Sequence, residues 1–341
     1  MVNNKIISIG VIGTGFGREI AKNFMAVDPT CKVYLSSRDV EKTKKVASEI
    51  GATGTFDTWQ EMVTKPEIDL IVIASASFLH QEMFDVVVKT GKHILIEKPA
   101  ALTSKEIEEM ASLASPGQIV VINHEGRFSP IIGKIKELIN TNQLGNILTI
   151  RCGAYLNWFS NSEYKEGWNN YKEKGGGQIY SIGTHQIDLV RYLLGMPKIK
   201  IGMVNTCCVK DPRFSKDVSA DTQMVAQFVT ENNMSMQIFS DDYCFGYKNF
   251  TIEVIGDKGV IIYSDLNGLK VSYSNTQPLE DVIWTDPLPE INLGRSILSK
   301  SMKYMAKALI DSIKSGVVNK NFCTLSQAKD NLKLFEKYIN K

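Results

Sequence analysis

No stretch of this 341-residue chain approaches the roughly 20 consecutive apolar positions that a membrane-spanning helix needs, so a chain threaded through a bilayer is excluded. Charge of one sign is also lacking. Lys and Arg number 39 against 37 Asp and Glu, with the signs interspersed, and no field exists to draw in nucleic acid or an anionic membrane. No Cys-x-x-Cys occurs. The six cysteines, Cys31, Cys152, Cys207, Cys208, Cys244 and Cys323, have no histidine at ligand spacing, and the adjacent pair Cys207-Cys208 points to opposite faces of an extended strand. Reduced, mostly buried thiols are expected, and no metal site. The start, Met1-Val2-Asn3-Asn4-Lys5, lacks the length and flanks of a secretory signal, so the expected location is the cytoplasm. What remains is a 43% hydrophobic, 22% charged composition, that of an ordinary globular protein. It is long enough for two domains with separate cores and is suited to a small-molecule partner.

From Lys5 to about Asn123, short apolar runs alternate with amphipathic charged stretches. Strands are expected at Ile6–Ile12, Lys32–Ser36, Leu70–Ala74, His93–Glu97 and Gln118–Ile122, with helices such as Arg18–Val27, Asp39–Ile50 and Ser104–Ala114 between them. Near-continuous apolar strands of this kind imply a parallel sheet covered on both faces, a doubly wound α/β fold of the Rossmann type. After Arg127 the pattern changes. A helix over Ile131–Asn140 leads into long alternating runs: Leu148–Tyr155, Lys200–Val209, Gln223–Phe228, Met234–Ser240, Phe250–Ile255 and Gly259–Tyr263. These predict a large, open, mainly antiparallel sheet, with turns at Gly256–Gly259 and Asn267-Gly268. A helix over Gln178–Leu194 interrupts the strands and a helical tail over Ser301–Tyr338 follows them, so the second domain is α+β. The division expected is 1–123 and 124–341.

The segment Ile6 to Arg18 is a strand running into Gly13-Thr14-Gly15-Phe16-Gly17 and then a helix. Gly13 and Gly15 permit a tight turn and close backbone approach to a pyrophosphate, which sits on the N-terminal dipole of the following helix. The third glycine stands at Gly17, where the fingerprint wants it one place later, at Arg18. A glycine turn without a ligand is the bland alternative. At the end of the second strand, Ser36-Ser37-Arg38-Asp39 sets the cofactor preference. With Ser37 at the position where an acid holds a ribose 2′-hydroxyl, and Arg38 available for a 2′-phosphate, NADP is preferred over NAD. A register shifted by two makes Asp39 the ribose ligand instead, and Asp39 also reads as the N-cap of the next helix.

The strand at His93–Glu97 ends in Glu97-Lys98-Pro99, at the carboxyl edge where open α/β sheets bind ligands. These pieces resemble the Gfo/Idh/MocA oxidoreductases, the family of glucose-fructose oxidoreductase and inositol dehydrogenase, over nearly the whole chain. They are Gly13 to Gly17, Glu97-Lys98-Pro99, Arg127-Phe128-Ser129-Pro130, Gly175-Gly176-Gly177 and Gly183-x-His185-x-x-Asp188. The resemblance implies a hydride transfer between a nicotinamide and a secondary alcohol or ketone of a sugar, polyol or related molecule. Lys98, beside the cofactor and the reacting carbon, lowers the pKa of the alcohol, and His185 serves as proton donor and acceptor. It implies a cis Lys98–Pro99 bond, and a homodimer or tetramer paired through the second sheet. A surface lysine and a satisfied core histidine are the bland readings.

Ser181, His185, Asp188 and Tyr192 recur at spacings of four, three and four along one helix face. Relatives carry an Asp where this chain has Ser181. Either Ser181 positions His185 or substrate, or Tyr180 or Glu125 compensates, or the chain is a dinucleotide-binding sensor with little turnover. Ala74, Ser75 and Ala76 line the cofactor through backbone, and His80 in the same loop is structural rather than catalytic. Arg127, in His124-Glu125-Gly126-Arg127-Phe128, contacts substrate or cofactor or makes an interdomain salt bridge. The aromatic segment Asn157–Lys174 offers Trp168 as a wall for a sugar, or packs beneath its own loop.

Overall fold

The computed structural model describes residues 5–158, 161–274, 276–284, 286–288 and 297–339. The chain folds as two units, one running through Phe128 and including Leu288–Asp330, the other comprising Ser129–Pro287 and the residues from Asn331 onward.

The first unit opens with β1 (Ser8–Ile12), α1 (Phe16–Val27), β2 (Lys32–Ser36), α2 (Val40–Ile50), β3 (Gly54–Thr55), α3 (Trp59–Thr64), β4 (Leu70–Ile73), α4 (His80–Val87), β5 (His93–Glu97), α5 (Ser104–Leu113) and β6 (Val120–Asn123). The sheet order is β3-β2-β1-β4-β5-β6, parallel throughout, which is the doubly wound arrangement the apolar runs predict. Every residue of β1 and β4 is buried, because helices cover both faces. The two-residue β3 and the helices α3 and α4 were not expected individually.

The second unit contains α6 (Pro130–Asn140), β7 (Ile147–Tyr155), α7 (Thr184–Leu193), β8 (Ile199–Cys207), β9 (Gln223–Thr230), β10 (Ser235–Asp241), β11 (Asn249–Gly256), β12 (Val260–Ser264), β13 (Gly268–Ser272) and β14 (Glu280–Asp281). Its strands lie in the order β14-β13-β12-β11-β7-β10-β9-β8. Among the strands of the described residues only the β7–β10 pair is parallel. Both expected turns form: Gly256 N–H donates to Gly259 O, and β12 returns into β13 at Gly268, in the left-handed region with φ of 72°. Along β9, Met224, Ala226, Phe228 and Thr230 are buried while Val225 and Gln227 face outward. Phe335 and Tyr338 pack edge-on against Phe228. On the outward side, Arg151 reaches Gln237 and Glu253 across three strands.

The tail is helical, as expected. It forms α8 (Ile297–Ser315) and α9 (Leu325–Tyr338), broken where Gly316 turns left-handed with φ of 71°. Residues 288–330 also return to the first unit, whereas the expected second domain ran unbroken from 124. The reason is the apolar stripe of α8: Met302, Met305, Ala306, Leu309 and Ile310 share a core with Ile7, Ile9, Ile20 and Phe24. Behind α8, Cys323 O accepts from Ile122 N–H and extends the sheet edge beside β6. All six cysteines are free thiols, Cys207 being exposed, and burial pushes the Cys31 thiol up to about 12. Among the described residues no helix is long and apolar enough to cross a membrane.

Candidate functional site

The Gly-rich turn is built from backbone. Gly13 N–H donates to Ser36 O at 2.8 Å, tying the turn to the end of β2. Gly13 has φ of 109°, and a Cβ there would stand 2.3 Å from Ala74 O, so the turn lies directly against the loop that leaves β4. On Gly15 a Cβ would meet nothing within 4 Å; this face of the turn is open. On Gly17 it would meet Val11 Cγ1 at 2.9 Å and Ala74 Cβ at 3.3 Å. Gly17 therefore fills the helix-to-strand packing role that the fingerprint assigns one position later, which accounts for the apparent mismatch at Arg18.

Side chains cap three helices of the first unit, and leave α1 and α4 without a side-chain cap. Asp39 caps α2, Thr58 caps α3, and Thr103 with Glu106 forms a capping box on α5. At α1 the N-cap is Gly15, and no side chain among the described residues caps it. Its first N–H groups, with the positive end of the helix dipole, are left for an anion. Phe16, at the first position of α1, is exposed. Beside this turn Thr14 Oγ1 lies 3.5 Å from Ser37 Oγ, which in turn lies 2.6 Å from Thr43 Oγ1. Ser37 is thus the residue beyond β2 that faces the turn. Arg38 is exposed, and Asp39 accepts from Lys42 N–H as a cap. Thr43 was missed in the sequence, because its place in this hydroxyl cluster depends on how α2 returns along β2.

At the end of β5, Glu97 is buried, and its carboxylate accepts from Asn123 Nδ2 and, at 3.2 Å, from Lys98 N–H. Burial pushes the Glu97 carboxyl up to about 7 against the opposing pull of the Lys98 charge and these hydrogen bonds. Burial likewise draws the half-buried Lys98 amine below the usual lysine range, while Glu97 and Glu125 pull it back up. The Lys98–Pro99 bond is cis. His80, buried at the start of α4, directs Nδ1 to Pro99 O at 2.9 Å and Nε2 to Ser75 O at 3.2 Å. Arg127 donates from Nη1 to Gln327 Oε1 at 3.0 Å and to Asn321 O at 3.4 Å, bracing the returned segment. The turn, Ser37, Arg38, Ala74 to Ala76, His80, Glu97, Lys98, Glu125 and Arg127 all belong to the first unit.

Trp168, Ser181 and His185 belong to the second unit. The expected helix over Gln178–Leu194 opens instead as a π turn, Ile179–Gly183, before α7. Hydroxyl back-bonds widen it: Ser181 Oγ donates to Gly177 O at 2.7 Å and Thr184 Oγ1 to Tyr180 O at 2.9 Å. His185 is buried in the first turn of α7, and Asp188 accepts from Asn331 Nδ2, which joins it to Arg191. Two buried aspartates absent from the sequence reading hold this region. Asp221 accepts from Ile179 N–H, and its carboxylate fills the space a Cβ on Gly177 would take, at 2.6 Å. Asp242 accepts from Trp158 N–H at 2.9 Å and Gln178 Nε2 at 3.2 Å. Asn170 pins the aromatic loop by accepting from Gly167 N–H and Tyr164 OH. Trp168 is 40% exposed; Phe159 and Ser160 of the same loop lie outside the described residues.

Comparison with known proteins gives two domain matches. Residues 7–124 match the model described as an oxidoreductase family with an NAD-binding Rossmann fold, and residues 132–262 match the GFO/IDH/MocA C-terminal domain. An uncharacterized oxidoreductase of Synechocystis sp. is 26% identical, over 78% of this chain and 74% of its own. The levoglucosan dehydrogenase of Pseudarthrobacter phenanthrenivorans is 24% identical, over 84% of this chain and 85% of its own. The NADP(+)-dependent scyllo-inositol 2-dehydrogenase of Bacillus subtilis is 26% identical, but the match spans only 56% of this chain and 53% of that one. In fold, a solved levoglucosan dehydrogenase in complex with NADH and levoglucosan superposes with a TM-score of 0.85, at 20% identity, covering 97% of this chain and 96% of the other.

Proposed function

Because the chain belongs to the Gfo/Idh/MocA oxidoreductase family, with an NAD-binding Rossmann fold in its first unit, we propose that it is a dehydrogenase. It moves a hydride between a nicotinamide dinucleotide and a secondary alcohol or ketone of a sugar or polyol. The observation that carries this reading is the uncapped N-terminus of α1 behind the open face of Gly15, a seat made for a pyrophosphate. When bound, the dinucleotide supplies or accepts the hydride. The chain's own residues do the rest. Gly13, its own N–H tied to Ser36 O, sets the turn, and backbone N–H groups from Thr14 to Gly17 hold the pyrophosphate. Ser37, backed by the buried Thr43 hydroxyl, and Arg38 meet a 2′-phosphate at the end of β2, where Ser37 stands in place of an acid, which favours NADP over NAD. Lys98, as an ammonium, binds the substrate oxygen and lowers the pKa of the alcohol; His185 takes or returns the hydroxyl proton. Ser181, bonded back to Gly177 O, braces the helical turn before His185 rather than replacing the acid found there in relatives. Trp168 and the aromatic loop face the sugar.

The relatives bear enzyme names and lend no weight to a sensor without turnover. The outward side of the eight-stranded sheet, where Val225 is 56% exposed and Met203 49%, supports pairing of two copies. A panel of sugars and polyols offered with NADP and NAD, read by nicotinamide absorbance, tests the proposal. Turnover of at least one sugar or polyol is expected, and oxidation of none of them, with reduction of none of the matching ketones, would refute it.

A further inference from the structure

Two loops at the carboxyl edge of the first sheet carry separate parts of the proposed chemistry. The loop after β4, Ala74 to Leu79, lies against the Gly-rich turn, since Ala74 O occupies the space beside Gly13. The corner after β5 carries Lys98. The strands β4 and β5 pair in parallel up to Ile73 and Ile96, and beyond those residues the ladder no longer holds the two loops together. Backbone carbonyls released at such strand ends need partners.

We propose that His80 is a positioning residue that yokes the cofactor loop to the Lys98 corner, so that the backbone of the two loops keeps its register around the nicotinamide half of the bound dinucleotide. This rests on the function proposed above. His80 begins the helix that leaves the cofactor loop, is 1% exposed, and spans to the other corner through Nδ1, 2.9 Å from the carbonyl of the residue next to Lys98. Its Nε2 faces back to its own loop, 3.2 Å from Ser75 O. Burial and the nearby Lys98 charge favour the neutral ring, and a neutral imidazole donates from one nitrogen only. The shorter contact assigns that proton to Nδ1, on Pro99 O. With Nδ1 donating to Pro99 O and the ring 1% exposed, it does not serve as an acid or base toward substrate. Its place makes it a link, and the link runs through a rigid planar group with no slack.

The side-chain geometry gives a selective test. The amide nitrogen of Asn can occupy the place of Nδ1, whereas that of Gln reaches the place of Nε2. Full-length wild type, His80→Asn, His80→Gln and His80→Phe are titrated with NADPH and with 2′,5′-ADP, which fills the adenosine half alone; NADH and 5′-AMP are used if NADH binds more tightly. His80→Phe and His80→Gln are expected to weaken the whole dinucleotide about tenfold, the effect of one hydrogen bond. His80→Asn should stay within about twofold of wild type, and the half ligand within about twofold in every variant. If His80→Phe does not fold, the contrast between Asn and Gln carries the test. Equal affinities in all variants, or parallel losses for whole and half ligand with no rescue by Asn, would overturn the yoke and leave the proposed function standing. Failure of wild type to bind either dinucleotide would remove the proposed function, and the yoke with it.

Discussion

The two units fix their candidate residues by different means. In the first, β1 and β4 are buried along their whole length, so side chains from the middle of the sheet meet no ligand. The candidates stand on loops at the carboxyl edge, and backbone contacts place them: Gly13 on Ser36 and Ala74, His80 on Pro99 and Ser75. In the second, the candidates stand on a helix start and an irregular loop, and single buried side chains place them: Asp221 under Ile179, Asp242 under Trp158 and Gln178, Asn170 under Gly167 and Tyr164. A site held by backbone tolerates exchange of the side chains that only support it, except at its glycines and at His80, whose ring makes the link. A site held by single carboxylates is sensitive to each of them.

The largest expected effect tests whether the chemistry sits at the edge of the first sheet. Lys98→Met should lower turnover by about 10³-fold, the loss of a charge aimed at the reacting oxygen, while dinucleotide affinity, read by titration, changes little. Full activity in that variant would refute the role given to Lys98. Next comes the end of β2. Ser37→Asp combined with Arg38→Ala should swing the ratio of NADPH to NADH affinity by about 10²-fold toward NADH, and an unchanged ratio would place the 2′-phosphate elsewhere.

In the second unit, Gly177→Ala sharpens the comparison. The residue has φ of 98°, and its Cβ would stand 2.6 Å from the Asp221 carboxylate. A cost of roughly 1–3 kcal/mol is expected, visible as a Tm several degrees lower by calorimetry; an unchanged Tm would mean that Asp221 gives way freely.

The last expected effect concerns pH. The Glu97 carboxyl, pushed from 4.5 up to about 7, binds protons in the folded chain that the unfolded chain has released. Its contribution to stability is therefore full below about 4.5 and lost as pH rises through about 7. Infrared difference spectra should show a protonated carboxyl band at pH 6 that fades by pH 8 and is missing in Glu97→Gln. A band absent from wild type at pH 6 would mean that Lys98 and Asn123 hold Glu97 ionised.

Much of the first unit was legible because five of its six parallel strands carry apolar runs and the crossovers that were read are amphipathic. The carboxyl-edge rule then placed Ser37 and Lys98 at strand ends, where both stand. The return of residues 288–330 was not legible, because the apolar stripe of α8 states that it must be covered and not by which sheet. Gly17 looked like a flaw in the fingerprint until its contacts with Val11 and Ala74 were visible. In the second unit the alternation of β9 could be read directly, whereas Asp221 and Asp242 could not. Their partners lie 42 residues away in one case and 64 and 84 in the other, beyond any local spacing. The π turn was hidden for a related reason: hydroxyls that bond back to the preceding turn do not disturb the apolar period.

One measurement bears most directly on the central claim: fluorescence titration of the purified chain with NADPH and NADH. Saturable binding of one or both, tighter for NADPH, is what the open Gly15 face, the uncapped α1 and the Ser37–Thr43 hydroxyls predict; the absence of binding by either would contradict the account.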